Sequence, residues 1–359
     1  MITIQSIKSC SASEYYITVL PDTSLPHEFQ AATIFQEILD YLSSNGAKIF
    51  IERDFGTAEG LSALDTARTT LQDKDDGVAP VRLISKPGLH GEIAGVQIHA
   101  VSDELPMETL QDGVGRMLQH KEHSYLALTG LTAPQHGCAA QQAAFLFERA
   151  NSLLNKYDAC FLDVARTWLW LGDILDWYDD LNRVRTACFE KWKVLGSRRL
   201  PASTGIGLHP LDGGACGIDL IAMPGHAAEI SHLLAGGNQD SAYAYGSAFS
   251  RAACIPTPGG KTLYISGTAD IDRQGKTQNI DNPAGQIEAT IENIRALLCG
   301  AGMGDEQLAH AVIYCKNEEV EAEWQRQSRF LKWPCITTIA VVCRDNLLFE
   351  IEAVGISPF

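Results

Sequence analysis

One stretch of sequence occurs twice in this chain, and it constrains the fold more than any other feature. Residues 142–154 (QAAFLFERANSLL) and residues 286–298 (QIEATIENIRALL) align without a gap, with one glutamine, one glutamate and two leucines at the same offsets. Apolar residues in both stretches recur at the spacing of a helix. The chain therefore carries two copies of one helical element, which predicts an internally repeated fold.

The segments after each copy also follow one order, namely a strand, a second helix and two strands that we expect to pair with each other. In the first repeat these are 159–171, 176–195, and 204–210 with 216–223; in the second they are 308–315, 317–332, and 336–343 with 347–354. This order predicts an α+β fold with two tandem domains, in which helices cover one face of each mixed sheet.

The predicted domain boundaries follow from the repeat. We expect an N-terminal domain over residues 1–235, a connecting loop over 236–249 and a C-terminal domain over 250–359. Residues 1–85 precede the first repeat and are predicted to pack on it as an extension, with a charged loop at 73–77.

Composition and charge exclude several classes of function. A chain of 359 residues, 45% of them hydrophobic, can bury one large core or two smaller ones. The net charge of -16 disfavours nucleic acid as a partner, and an anionic substrate would need local arginines. Residues 1–10 lack the apolar stretch of a secretion signal, and no apolar run reaches transmembrane length. Because the ten cysteines form no CxxC pair, we expect a reduced, cytoplasmic protein without a membrane partner.

Glu350 is the most suggestive single residue. It lies between Phe349 and Ile351 in the second of two predicted buried strands, 339–343 and 347–351, joined by an Arg-Asp-Asn turn. Burial raises the pKa of an unpaired carboxyl group, so that it keeps its proton at neutral pH. Glu350 is therefore a candidate general acid, with the Cys343 thiol seven residues upstream. A structural carboxylate in the core or at a subunit contact is the alternative.

Four segments of the second repeat point to a known family: 264–270 (YISGTAD), the helix from Gln286, 311–316 (AVIYCK) and 349–353 (FEIEA). Over residues 250–356 they resemble the YjgF-type imine deaminases, also called reactive intermediate deaminases. Those enzymes place an arginine for the substrate carboxylate two residues after a proline on the penultimate strand. Here Ile336 follows Pro334 at that spacing, which argues against deamination of an amino-acid-derived imine.

Five segments from about residue 155 onward resemble a second family: 164–168 (VARTW), Tyr178 with Asn182 and Arg183, 201–207 (PASTGIG), 249–252 (FSRA) and 343–350 (CRDNLLFE). In this order they are similar to the chorismatases, which remove the enolpyruvyl group of chorismate. The first, third and fourth segments are not features of the single-domain deaminases. The resemblance implies two YjgF-like domains, a site where the domains meet, and no metal or organic cofactor.

The resemblance also implies roles for individual residues. Glu350 would protonate the methylene carbon of the enol ether, which gives an oxocarbenium ion. Chorismate carries two carboxylates, and the planar arginine side chain suits such groups. The implied substrate-binding residues are Arg166, Arg183, Arg251, Tyr178, Tyr243, Tyr245, Thr204 and Gly205. Each arginine could instead be the partner in a structural ion pair.

Cys343 bears on the product. In the chorismatases, a small inert residue at this position accompanies hydrolysis to a dihydroxycyclohexadiene carboxylate, whereas a cysteine accompanies aromatisation to 3-hydroxybenzoate, sometimes with 4-hydroxybenzoate. The predicted activity is therefore conversion of chorismate to 3-hydroxybenzoate and pyruvate. The alternatives are the hydrolase, an imine deaminase and a non-catalytic protein that binds a small ligand.

Histidines do not form a clear metal pattern in the sequence. His120 and His123 lie three residues apart and His136 follows, but no further ligand has the spacing of a known site. Such histidines are usually solvated, and we expect no metal. The oligomeric state, monomer or homo-oligomer, is left open by the sequence.

Overall fold

The computed structural model describes residues 1–71, 77–195 and 199–359, and it contains three six-stranded sheets where the sequence predicted two. The predicted α+β class is confirmed, with helices packed on one face of each sheet. Residues 73–76 of the predicted charged loop lie outside the described residues. No helix in the described ranges is both long and apolar enough to span a membrane.

The third sheet is built by the N-terminal residues, which the sequence analysis treated as an extension of the first repeat. Residues 2–102, here the first unit, have their own strands and two helices. These are β1 (Ile2–Lys8), β2 (Ser13–Val19), α1 (His27–Ser44), β3 (Ala47–Gly56), α2 (Ala58–Leu71), β4 (Val81–Ile84) and β5 (Ile93–Ser102).

The second unit (107–222) and the third unit (231–357) repeat this order after an added short strand. The second unit contains β6 (Met107–Thr109), β7 (Gly115–His120), β8 (His123–Thr132), α3 (Ala139–Lys156), β9 (Val164–Leu171), α4 (Ile174–Lys191), β10 (Ala202–Ile206), β11 (His209–Pro210) and β12 (Cys216–Ala222). The third contains β13 (Ser231–Leu233), β14 (Ala252–Thr257), β15 (Gly260–Thr268), α5 (Pro283–Gly300), β16 (Leu308–Cys315), α6 (Glu318–Gln327), β17 (Cys335–Ile339) and β18 (Phe349–Ser357).

Strand pairing within the repeats differs from the predicted hairpins. Strand β17 runs parallel to β16 on one side, and β18 runs antiparallel to β16 on the other; β10 and β12 flank β9 in the same way. Consecutive apolar strands predict a hairpin in the sequence, but β17 and β18 lie on opposite sides of β16 and do not pair with each other. Residues 340–348 form the crossover that carries the chain past the end of β16, so Cys343 lies in a loop and not in a strand.

The repeated glutamine has the same structural role in the second and third units. Gln142 Oε1 accepts a hydrogen bond from Ala215 N, and Gln286 Oε1 accepts one from Leu348 N, both at the residue that precedes the last strand of the unit. In the first unit, Gln30 occupies the corresponding place on α1, but its buried Oε1 accepts no hydrogen bond from the part of the chain that the structure describes. The helix thus fixes the entry of β18, and with it Glu350, two residues further on.

Apolar residues are buried in two layers. On the outer layer, alternate residues of each sheet pack under its helices, as Ile17 and Val19 of β2 do against Ile34 and Ile38 of α1. On the inner layer the three sheets face one another, and large side chains fill the centre of the molecule. Those side chains include Tyr16, Phe55, Trp168, Trp170, Tyr264 and Tyr314.

The three sheets also share a register at the point where catalytic chemistry is predicted. The penultimate residue of each central strand (β3, β9 and β16) is aromatic, and it faces one residue of the unit's last strand. The pairs are Phe55 with Gly95, Trp170 with Gly217, and Tyr314 with Glu350. Only the third unit therefore places a carboxyl group at this position.

Candidate active site

A cavity lies between the second and third units, and its empty space, counted out to open solvent, is about 540 Å³. Its walls come from α4 and β10 of the second unit, and from β15, β18, the crossover 340–348 and the segment before β14 of the third. Its polar and glycine lining residues, together with Cys343, are Tyr178, Arg185, Ser203, Gly205, Tyr245, Ser247, Arg251, Gly267, Arg344 and Glu350.

Hydrogen bonds fix β10 against the third unit and so define one wall of the cavity. Ser203 N donates to Ser266 Oγ at 2.8 Å, and Ser266 Oγ donates to Ser250 O at 2.6 Å. Gly267 N donates to Thr204 Oγ1 at 3.0 Å. These contacts join two units through main-chain groups and short side chains, which leaves little freedom in the width of the cavity.

Glu350 projects into this cavity with only 5% of its surface exposed. A β-carbon on Gly267 would collide with Oε1 of Glu350, so only glycine allows the carboxyl group to lie there. Burial raises the pKa of Glu350 to about 8, and the negative charge of Glu352 adds to the effect; Arg166, Arg251 and Arg344 oppose it. At neutral pH the carboxyl group is mostly protonated, as a general acid requires.

Arg166 was predicted to bind substrate, but in the structure it forms an ion pair behind the cavity. Its guanidinium lies 2.7 Å from Glu352 and donates to Thr204 Oγ1, and Trp168 Nε1 donates to Glu352 at 3.1 Å. Burial lowers the pKa of Arg166 to about 10, although Glu352 opposes the change. Neither Arg166 nor Thr204 lines the cavity. They hold the strands that position Glu350, because a buried arginine is costly without a paired carboxylate.

Three other arginines, Arg185, Arg251 and Arg344, do line the cavity. Within the described ranges, none of them forms an ion pair with a carboxylate. Arg251 donates to Asp240 O at 3.0 and 3.1 Å and to Tyr245 Oη at 2.6 Å. These bonds are to neutral acceptors, so the positive charge of Arg251 is uncompensated.

Arg185 and Arg344 are held in the same manner. Arg185 donates to Asn182 Oδ1 at 2.6 Å, and its buried Nε has no hydrogen-bond partner among the described residues. Arg344 donates to the carbonyl oxygen of Gly275. Unpaired cations around a pocket favour an anionic ligand, because a carboxylate would supply the missing charge and hydrogen bonds. The cavity thus concentrates positive charge within a protein whose net charge is -16.

Cys343 and Tyr178 also line the cavity, and both are neutral at neutral pH. Burial raises the pKa of the Cys343 thiol to about 12, and nearby Glu350 adds to this, while a hydrogen bond with Tyr178 lowers it. Burial also raises the pKa of Tyr178. The thiol is therefore not a thiolate nucleophile at neutral pH. It can donate a proton or shape the pocket.

Two predicted site residues lie away from the cavity. Arg183 is exposed and pairs with Asp180, and Tyr243 is 47% exposed on a short turn that also carries Tyr245. The residue that the sequence analysis missed on α4 is Arg185. Helix geometry could have found it, since a residue seven positions after Tyr178 lies on the same face, whereas one five positions after it points elsewhere.

Ile336 occupies a different cleft from the one that holds Glu350. A β-carbon on Gly95 would lie 3.0 Å from Ile336 Cδ1, which places Ile336 between the third and first units. From the sequence, deamination of an amino-acid-derived imine was disfavoured because Ile336 stands where the deaminases have an arginine. In the structure, the cations available to a substrate are those of the cavity, and Ile336 does not determine them.

The cavity offers poor ligands for a metal ion. Its potential ligands are one protonated carboxyl group and one neutral thiol, surrounded by three cationic side chains. Metal ions require deprotonated donors and are repelled by neighbouring positive charge. The arrangement suits instead a small anion whose reaction needs a proton.

Among solved structures, a chorismatase determined at 1.08 Å resolution matches almost the whole chain. The alignment covers 99% of this chain and 98% of that one, with a TM-score of 0.65 and 17% sequence identity. The chain has the fold of that chorismatase. The resemblance stated from sequence is thereby confirmed for the fold, including the N-terminal residues that the sequence comparison did not cover.

Shorter proteins match single portions of the chain. A member of the YjgF/YER057c/UK114 family from Mycobacterium tuberculosis is 21% identical and covers 36% of this chain and 99% of its own, with a TM-score of 0.28. A Rid-family protein from Yersinia pestis, 23% identical, covers 35% and 98%, with a TM-score of 0.29. No protein-family model and no curated protein matches the sequence.

Proposed function

We propose that this chain is a chorismatase that cleaves the enolpyruvyl ether of chorismate and releases pyruvate. The observation that carries the proposal is a protonated carboxyl group, Glu350, inside a cavity lined by three arginines that pair with no carboxylate of the described residues. The shared fold with a chorismatase supports the choice of substrate.

The arginines match the charge of the substrate. Chorismate has one carboxylate on the ring and one on the enolpyruvyl group, and each requires a cationic partner once it leaves water. Arg185 comes from the second unit and Arg251 from the third, so each can bind one of the two carboxylates. Tyr178 and Tyr245 supply hydroxyl groups for further hydrogen bonds.

Glu350 supplies the proton for the first chemical step. Transfer of its proton to the methylene carbon converts the enol ether into an oxocarbenium ion, and the methylene becomes the methyl group of pyruvate. The bond between the ring carbon and the ether oxygen then breaks, and the oxygen leaves with pyruvate. The carboxylate of Glu350, now negative, stabilises the cationic intermediate and can take a proton back.

The finer proposal is that the ring product is 3-hydroxybenzoate. Chorismate has the same atoms as one hydroxybenzoate plus one pyruvate, so no water is consumed. The neighbouring ring hydroxyl displaces the ether oxygen and gives up its proton to Glu350, and an arene-oxide-like intermediate results. The three-membered ring then opens, the oxygen gains a proton, and the ring carbon that carries it loses one, which restores aromaticity. Cys343, as a neutral thiol, assists the proton transfers of this last stage.

Incubation of the purified protein with chorismate, followed by liquid chromatography and a coupled pyruvate assay, tests both the cleavage of the ether and the identity of the ring product. Pyruvate with equimolar 3-hydroxybenzoate, above the spontaneous background, is the expected result. Pyruvate with a non-aromatic dihydroxy acid would retain the chorismatase but overturn the aromatising step. Absence of pyruvate, with chorismate still bound in calorimetry, would leave a binding protein and refute the enzyme.

A further inference from the structure

Three side chains that commonly bind metal converge on the surface of the second unit, and none of them lines the cavity. His123 begins β8, whereas His226 and Glu229 belong to a short helical turn just after β12. One potential ligand atom from each lies within 4.8 Å of the others. His123 Nε2 is 3.0 Å from Glu229 Oε2, and His226 Nδ1 is 2.8 Å from Glu229 Oε1.

The turn that carries two of these side chains is held in place by one buried aspartate. Met223 N donates to Asp163 O at 2.9 Å, and Ala227 N donates to Asp163 Oδ1 at 3.1 Å. Glu229 N donates to His226 O at 2.9 Å. The backbone positions are therefore fixed before any ligand binds, so little ordering entropy would oppose binding.

We propose that His123, His226 and Glu229 bind one Zn²⁺ ion. Zinc takes imidazole nitrogen and carboxylate oxygen at about 2.0–2.2 Å in a tetrahedron, so neighbouring ligand atoms lie roughly 3.3 Å apart. The two separations between histidine and Glu229, 3.0 and 2.8 Å, are slightly shorter than that value, and the two imidazole nitrogens lie within 4.8 Å of each other. The ion replaces the protons now shared between each imidazole and the carboxylate, and water takes the fourth position.

The chemistry of the ligands selects the class of metal. Two imidazole nitrogens favour zinc and similar transition metals, whereas calcium and magnesium prefer a complete set of oxygens. The net charge of -16 attracts divalent cations to the protein as a whole. Bound zinc joins the β7–β8 hairpin to the segment that leads from the second unit to the third, and so stabilises the folded state.

Isothermal titration calorimetry of the intact protein with zinc chloride, in a buffer that does not chelate zinc, tests the site. The wild-type chain should bind one equivalent, and its Tm should rise with zinc concentration. His226→Gln and Glu229→Gln should each weaken binding by at least about 10- to 100-fold, the loss that even outer-shell changes cause.

A matched control comes from another histidine beside carboxylates. His27 Nε2 lies 3.4 Å from Glu28 and 3.5 Å from Glu59, and His27→Gln should leave zinc binding unchanged. Zinc held instead at the exposed thiols would survive both site variants; these are Cys10, Cys138 and Cys299. That result, or a wild-type chain that binds no zinc, would overturn the proposal. Equal Tm values without zinc show that the variants remain folded.

Discussion

The cleft between the second and third units and the cleft between the first and second units have the same framework but different chemistry. In both, the outer parallel strand of one unit faces the last strand of the next, beside an aromatic residue of the central strand. At the shared register position one cleft has Glu350 and the other has Gly217. The repeated fold therefore forms a cleft in both places, and the residue at this one register position determines whether the cleft contains a carboxyl group.

The two clefts also differ in how their charged side chains are paired. In the cleft of the first and second units, Arg82 pairs with Asp65, and Asp212 accepts a hydrogen bond from Thr132. The arginine of this cleft is thus neutralised by a carboxylate, whereas Arg185, Arg251 and Arg344 form no ion pair with a carboxylate of the described residues. The third cleft, between the third and first units, is closed where Ile336 packs against Gly95. The first two of the following predictions each have a counterpart in the cleft of the first and second units.

Glu350→Gln should have the largest effect. Glutamine keeps the shape of the side chain but has no acidic proton, so kcat for pyruvate release should fall by about 10²- to 10⁴-fold. Asp212→Asn removes a carboxylate from the counterpart cleft and should leave kcat unchanged. Pyruvate formation measured for both variants makes the comparison. Similar losses in the two would show that the clefts do not differ as proposed.

Arg251→Met should come next. The methionine fills space but removes charged hydrogen bonds to a substrate carboxylate, each worth about 1.5–3 kcal/mol, so kcat/KM should fall by about 10- to 100-fold, mainly through KM. Arg82→Met removes a paired arginine from the other cleft and should leave both constants unchanged. A loss in kcat alone would contradict a role in substrate binding.

The pH dependence should reflect the pKa of Glu350, which burial raises to about 8. Since the protonated form is the acid, kcat/KM should fall about tenfold per pH unit above pH 8. The same shift affects stability. A carboxyl group with a raised pKa stabilises the fold below its unfolded pKa, and this contribution is lost as pH rises through 8.

Comparison with the glutamine variant isolates this effect on stability. The free energy of unfolding of the wild-type protein should drop by about 2–4 kcal/mol, relative to Glu350→Gln, between pH 5 and pH 9. Denaturant unfolding at the two pH values measures the difference. Parallel curves for the two proteins would show that Glu350 titrates normally in the folded state.

Cys343→Ala should have the smallest effect on rate and stability but a visible effect on product. The thiol is neutral and only partly exposed, so its removal should cost about 1 kcal/mol of stability. The ratio of aromatic acid to dihydroxy acid should shift towards the latter, as chromatography can measure. Cys216→Ala, a buried thiol that begins β12, is the matched control and should leave the ratio unchanged. An unchanged ratio for Cys343→Ala would remove Cys343 from the product-determining step.

The sequence repeat was recognisable in the second and third units but not in the first. Residues 142–154 and 286–298 share four identities, whereas α1 keeps only the glutamine and the last leucine, at Gln30 and Leu42. In the first unit, Gln30 Oε1 accepts no hydrogen bond from the described residues, so it does not bind the segment before the last strand. Packing of an amphipathic helix on a sheet tolerates many sequences, so the fold persists after the matching residues have changed.

By itself the sequence determined the α+β class, the two clear repeats and the buried position of Glu350, because these follow from local periodicity and apolar flanks. It also identified Arg251, Tyr178, Tyr245, Gly205 and Cys343, all of which line the cavity. Tertiary structure alone decided which arginines pair with a carboxylate and which face the cavity. Arg166 meets Glu352 across 186 positions of the chain, and Arg185, rather than Arg183, faces the cavity. Ion pairing and desolvation depend on distances between units, which no local pattern encodes.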